Sequence, residues 1–79
     1  EAGVLLELLG GTQDRAIRRE MRERFFLLLR KLAHKKYRDF FWALHTEAVR
    51  CFARWPWAGE AEQKRLDEIA GIARRRFEG

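Results

Sequence analysis

The chain has 79 residues, 47% of them hydrophobic, and 17 Lys and Arg against 12 Asp and Glu give a formal net charge of +5. That length allows one domain with a thin core, and the apolar content is too high for a disordered tail. The single cysteine, Cys51, excludes an internal disulfide, and with only His34 and His45 beside it no metal-ligand spacing is present, so no metal or cofactor is expected.

Gly10-Gly11-Thr12 and Trp55-Pro56-Trp57-Ala58-Gly59 are the two breakers. They divide the chain into a leader, a long middle and a C-terminal segment. The leader spells a two-turn helix, about residues 2–9, capped by Gly10. It is too short to hold alone, so Leu5, Leu8 and Leu9 must lie on something. These three leucines also have the LxxLL spacing that seats helices in partner grooves, but packing within the chain is the simpler reading.

The middle runs from Gln13 to Arg54, 42 residues without Gly or Pro. Ile17, Met21, Phe25, Leu28 and Leu32 share one helical face, and the pattern resumes as Tyr37, Phe41, Leu44, Ala48, Phe52 and Trp55. The phase slips by about one residue across His34–Asp39. This predicts two helices, about residues 13–34 and 38–55, with Thr12 or Asp14 capping the first and Asp39 capping the second. One continuous helix is the alternative.

The last helix, about residues 60–77, has a stripe of Leu66, Ile69, Ala70, Ala73 and Phe77. Glu60 and Glu62 in its first turn and Arg74, Arg75 and Arg76 in its last match the helix dipole. The expected fold is therefore all-α: a small bundle of three main helices plus a short N-terminal one, in a single domain over residues 1–79. The longest apolar run is Phe25–Leu29, far short of the roughly 20 residues of a membrane span, and Val4–Leu9 has no basic region before it to make a signal peptide. A soluble protein without a membrane partner is expected, and the unpaired cysteine favours the reducing cytoplasm.

Thirteen of the 17 basic residues are arginine, whose planar fork binds phosphate or carboxylate bidentately. Arg15, Arg18, Arg19 and Arg22, at i, i+3, i+4 and i+7, make one stripe beside a core face centred on Met21 and Leu28. Phe26 falls inside that stripe, where it can stack on a base or fill a partner's pocket unless another helix covers it. Arg30, Lys31, Lys35, Lys36 and Arg38, with Tyr37 among them, crowd the proposed corner and suit phosphate contacts.

In the third helix Phe40, Phe41, Leu44, Ala48, Cys51, Phe52 and Trp55 form the main face, and Trp42, Val49 and Ala53 a second seam. An apolar arc that wide must touch two neighbours or a partner chain. Trp55 and Trp57 flank Pro56, and one of them is a candidate exposed anchor, the alternative being that both rings clamp the corner.

Catalytic features are sparse. There is no Gly-rich phosphate loop, no paired carboxylate at catalytic spacing and no serine, and Cys51 falls in the apolar face. Arg38-Asp39, followed after five further residues by His45, resembles the Arg-polar-His signature of the HEPN ribonucleases, a helical family. That resemblance implies an Arg and a His flanking a cleft between two protomers. It covers eight residues of the chain.

The function expected is a non-enzymatic basic helical binding module that contacts nucleic acid or a nucleoprotein complex. Arg15, Arg18, Arg19, Arg22, Arg30, Lys35, Lys36 and Arg38 would meet phosphates while Phe26 or Tyr37 stacks. The alternative is a protein-interaction subunit, adaptor or inhibitor, as a homodimer or in a larger assembly. It would use Trp42, Val49, Trp55 and Trp57, with the arginines on an acidic surface. A HEPN-like ribonuclease is the minor alternative.

Overall fold

The slip in apolar phase at residues 34–39 marks a real break. The computed structural model, which describes residues 2–34 and 37–78, has four helices: α1 (Ala2–Gly11), α2 (Arg15–Ala33), α3 (Arg38–Arg54) and α4 (Glu60–Glu78). No strand occurs among the described residues. α2 packs against α1, α3 and α4, and α3 also touches α1 and α4, so α1 lies on the α2–α3 side of a three-helix bundle. One hydrophobic cluster takes residues from all four helices.

The helix ends follow local chemistry. Asp14 caps α2, its Oδ1 accepting from the Ile17 N–H at 3.0 Å, so α2 starts at Arg15 rather than at residue 13. Asp39, expected as the cap of α3, instead sits in its first turn. The cap position is Tyr37, which makes no side-chain cap hydrogen bond. Asp39 still favours the positive end of the helix dipole from there. α3 stops where Trp55 turns extended (φ −75°, ψ 124°), as the residue before Pro56 must. Glu62 Oε1 accepts from the Gly59 N–H at 2.7 Å, tying the start of α4 to the residue before it.

Gly10 does not end α1. The helix continues through Gly10 to Gly11, and neither glycine has positive φ. What Gly10 provides is room: a Cβ there would lie 2.8 Å from Trp55 Cζ2. The C-terminal end of α1 is satisfied by Thr12, whose Oγ1 donates to the Leu8 carbonyl at 2.7 Å.

The buried face of α2 is turned from the one that periodicity suggests. Phe25, Phe26, Leu29 and Ala33 are buried, while Met21, Leu28 and Leu32 are half-buried and Ile17 is exposed. α2 has neighbours on both sides, so the centre of its contact lies between them rather than at the centre of its apolar residues. In α3, Phe41, Leu44, His45, Ala48 and Phe52 are buried, whereas Phe40, expected on the main face, is exposed. α4 buries Leu66, Ile69, Ala70 and Ala73, as its stripe predicts.

Candidate nucleic-acid interface

At about 100° per residue, Arg15, Arg18, Arg19 and Arg22 lie on the same side of α2 as Phe26, Leu29 and Ala33. The arginine stripe is thus the N-terminal continuation of the core face. Over this half of α2 the covering groups come from the α3–α4 link and the start of α4. Arg22 Nη1 donates to Glu62 Oε2 at 2.9 Å, with the two side chains only 23% and 11% exposed. The Arg18 guanidinium carbon lies 5.0 Å from the centre of the Trp57 ring, and its Nη2 donates to the Thr12 carbonyl at 3.3 Å. Arg18 Nε is buried and has no hydrogen-bond partner among the described residues.

Arg15 and Arg19 are exposed, and neither has a carboxylate partner among the described residues. Together Arg15, Ala16, Arg18, Arg19, Arg22 and Trp57 line a cleft of about 650 Å³ with no carboxylate in its lining. The first turn of α2 carries no acidic residue, and the Asp14 carboxylate at its cap offsets the positive end of the helix dipole, so the positive potential of the cleft comes from the arginines. Groups arranged in this way fit an anion: unsatisfied donors, a positive potential and a tryptophan wall. Trp57 forms one wall of this cleft. Sequence reading misses that because the residue reaches α2 only through the fold.

Phe26 is a correction. It is 1% exposed, packed on Phe52 with ring centres 5.4 Å apart and covered by the Arg65 guanidinium 4.3 Å from its ring centre. Arg65 is held there by Glu23 of α2. Phe26 lies between arginines in sequence, but α4 closes over it, and it cannot stack on a base.

At the other end of α2, Arg30, Tyr37 and Arg38 are exposed, and Lys35 and Lys36 lie outside the described residues. Two arginines act structurally there. Arg38 Nη2 donates to the Phe77 carbonyl at 3.1 Å, and Arg76 Nε donates to the His34 carbonyl at 3.4 Å. Each occupies a carbonyl near a helix C-terminus, where cations are favoured. Phe40, absent from the sequence-derived site, is exposed beside Tyr37 and Arg38.

The residues expected to meet a protein partner pack inward. Trp55 and Trp57 stack on each other, 5.2 Å apart with 18° between planes, and both set an edge against Phe52. Both rings are half-buried, so neither is an exposed anchor. Trp42 is half-buried between Phe41 (4.8 Å) and the Arg74 guanidinium (5.9 Å), and Val49 packs on the core. Apart from Phe40 and Ala53, which are exposed, the wide apolar arc of α3 is covered by α1, α2 and α4.

His45 is buried between Phe41 and Trp42, with Nε2 2.9 Å from the Leu66 carbonyl. A carbonyl only accepts, so Nε2 carries the proton of that bond. His45 thus links α3 to α4 while Arg38 is engaged by Phe77. Arg38 lines an open cleft at the α2–α3 corner while His45 is turned into the core, so within this chain the two do not flank one cleft as the ribonuclease resemblance implies. Cys51 is half-buried among apolar groups. Among the described residues no three His, Cys, Asp or Glu side chains are grouped to hold a metal ion, and no helix is long and apolar enough to cross a membrane. No protein-family model matches the chain, and no curated protein or solved structure shows significant similarity to it.

Proposed function

We propose that this chain is a nucleic-acid-binding module that holds the phosphate backbone through Arg15, Arg18 and Arg19 at the N-terminal end of α2. One observation carries the reading. Those three arginines converge on a cleft without a carboxylate, and the fold leaves Arg18 Nε buried and unpartnered beside them. An unpaired buried donor costs about 1–3 kcal/mol, which turning the Arg18 guanidinium out to a phosphate oxygen offsets. Arg22 belongs to the structure more than to the ligand, because Glu62 already holds it. Trp57 serves as a wall rather than a stacking platform, since Trp55 stacks on its ring and Arg18 lies over it.

Single and double substitutions test this. Arg15→Ala and Arg19→Ala are at exposed positions and leave the fold intact. Each is expected to weaken binding of a fluorescent oligonucleotide about equally across sequences and to flatten its salt dependence by about 0.7–0.9 in log–log slope. Oligonucleotide affinity unchanged in the double variant would sink the reading.

A further inference from the structure

Four of the six phenylalanines are buried and Phe77 is half-buried, but Phe40 is 58% exposed. Tyr37, three residues earlier, is 64% exposed. Both belong to the α2–α3 corner, where Tyr37, Arg38, Asp39 and Phe40 line an open cleft of about 450 Å³. The corner is held in place, since Arg38 and Arg76 tie it to the end of α4. The last turns of α2 and α4 bring Arg30, Lys31, Arg75 and Arg76 to the same end of the bundle. Asp39 is the one carboxylate in the cleft lining. Neither ring is needed by the core, and both stand among cations.

We infer that Tyr37 and Phe40 form a stacking platform for unpaired nucleobases, so that the nucleic acid this chain takes is single-stranded. The inference rests on the phosphate-binding reading above and narrows it. Exposed aromatic faces set among basic residues suit single strands, because every unpaired base offers a π-face while the phosphates meet the cations. In a duplex those faces are stacked inside, out of reach of the Tyr37 and Phe40 rings. The platform lies at the opposite end of α2 from the arginine cleft, about 28 Å away for its 19 residues. The two sites can therefore be altered separately.

The test is fluorescence anisotropy on the whole chain with a labelled single strand of mixed sequence, a duplex of the same sequence, and inorganic polyphosphate as competitor. The single strand is expected to bind at least about tenfold more tightly than the duplex. Phe40→Ala and Tyr37→Ala should each weaken single-strand binding about tenfold and leave duplex binding and polyphosphate competition unchanged. Their helicity and melting should match the parent, since both rings are exposed. Equal affinity for single strand and duplex, with Phe40→Ala without effect, overturns the platform and leaves the phosphate reading standing. Failure of every polyanion to bind at low salt overturns both. If Phe40→Ala abolishes self-association on size-exclusion light scattering without touching oligonucleotide binding, the corner is a protein contact and the inference is wrong.

Discussion

Replacing Arg22 by Ala separates what the arginine stripe does for the fold from what it does for a ligand. The Arg22–Glu62 contact is 2.9 Å long, and its side chains are 23% and 11% exposed. Removing one partner of a fully buried pair costs about 3–5 kcal/mol, whereas an exposed pair is worth about 0–1 kcal/mol. This pair lies between those limits. Glu62 also keeps its bond from the Gly59 N–H when Arg22 is gone, so the carboxylate is not left wholly unpaired. About 2 kcal/mol is the expected loss. In a domain of this size that lowers Tm by roughly 8–16 °C. Circular dichroism melts and urea unfolding followed by tryptophan fluorescence measure it. Arg19→Ala, at an exposed position without a partner, is the control and should stay within about 0.5 kcal/mol of the parent. A double-mutant cycle with Glu62→Ala should show a coupling of about 1–2 kcal/mol. If Arg22→Ala is no more destabilising than Arg19→Ala, the division of the stripe into structural and ligand-facing arginines is refuted.

Gly10→Ala tests the close approach of Trp55. Alanine in a helix usually gains up to about 1 kcal/mol over glycine, but here the new Cβ would meet the indole at 2.8 Å, and a net loss of about 1–2 kcal/mol is expected. Gly11→Ala, with open space around it, should show no such loss in the same urea titration. Phe26→Ala should cost about 3–5 kcal/mol of unfolding free energy as a core deletion. At temperatures where the variant is folded, its oligonucleotide affinity should match the parent. Asp14→Ala should cost about 1 kcal/mol by removing the cap of α2, visible as a lower melting midpoint.

The helices were legible because their apolar spacing is local. The stripe of α4, the Asp14 cap and the phase slip before α3 each lie within a few residues of sequence. The fate of the arginines was not legible, because it depends on contacts across the chain. Glu62 is 40 residues from Arg22, and Trp57 meets Arg18 only after the α3–α4 link folds back. Without those partners the stripe reads as a solvated face beside a core centred on Met21 and Leu28. Phe26 was misplaced for the same reason, since Arg65 and Phe52 that cover it come from α4 and α3. Phe40 failed in the opposite direction. It lies about 100° round α3 from the buried Phe41, off the arc that the neighbouring helices cover, so its apolar character gives no hint of its exposure.

The salt dependence of oligonucleotide affinity tests the phosphate reading most directly. Three arginines releasing counterions from a single strand should give a slope of about −2 in log K against log salt, steeper if the basic corner also engages. A slope of that size, falling to about −0.7 together with a loss of affinity in the Arg15→Ala/Arg19→Ala double variant, is the expected result. Affinity that barely changes from low to moderate salt would contradict it.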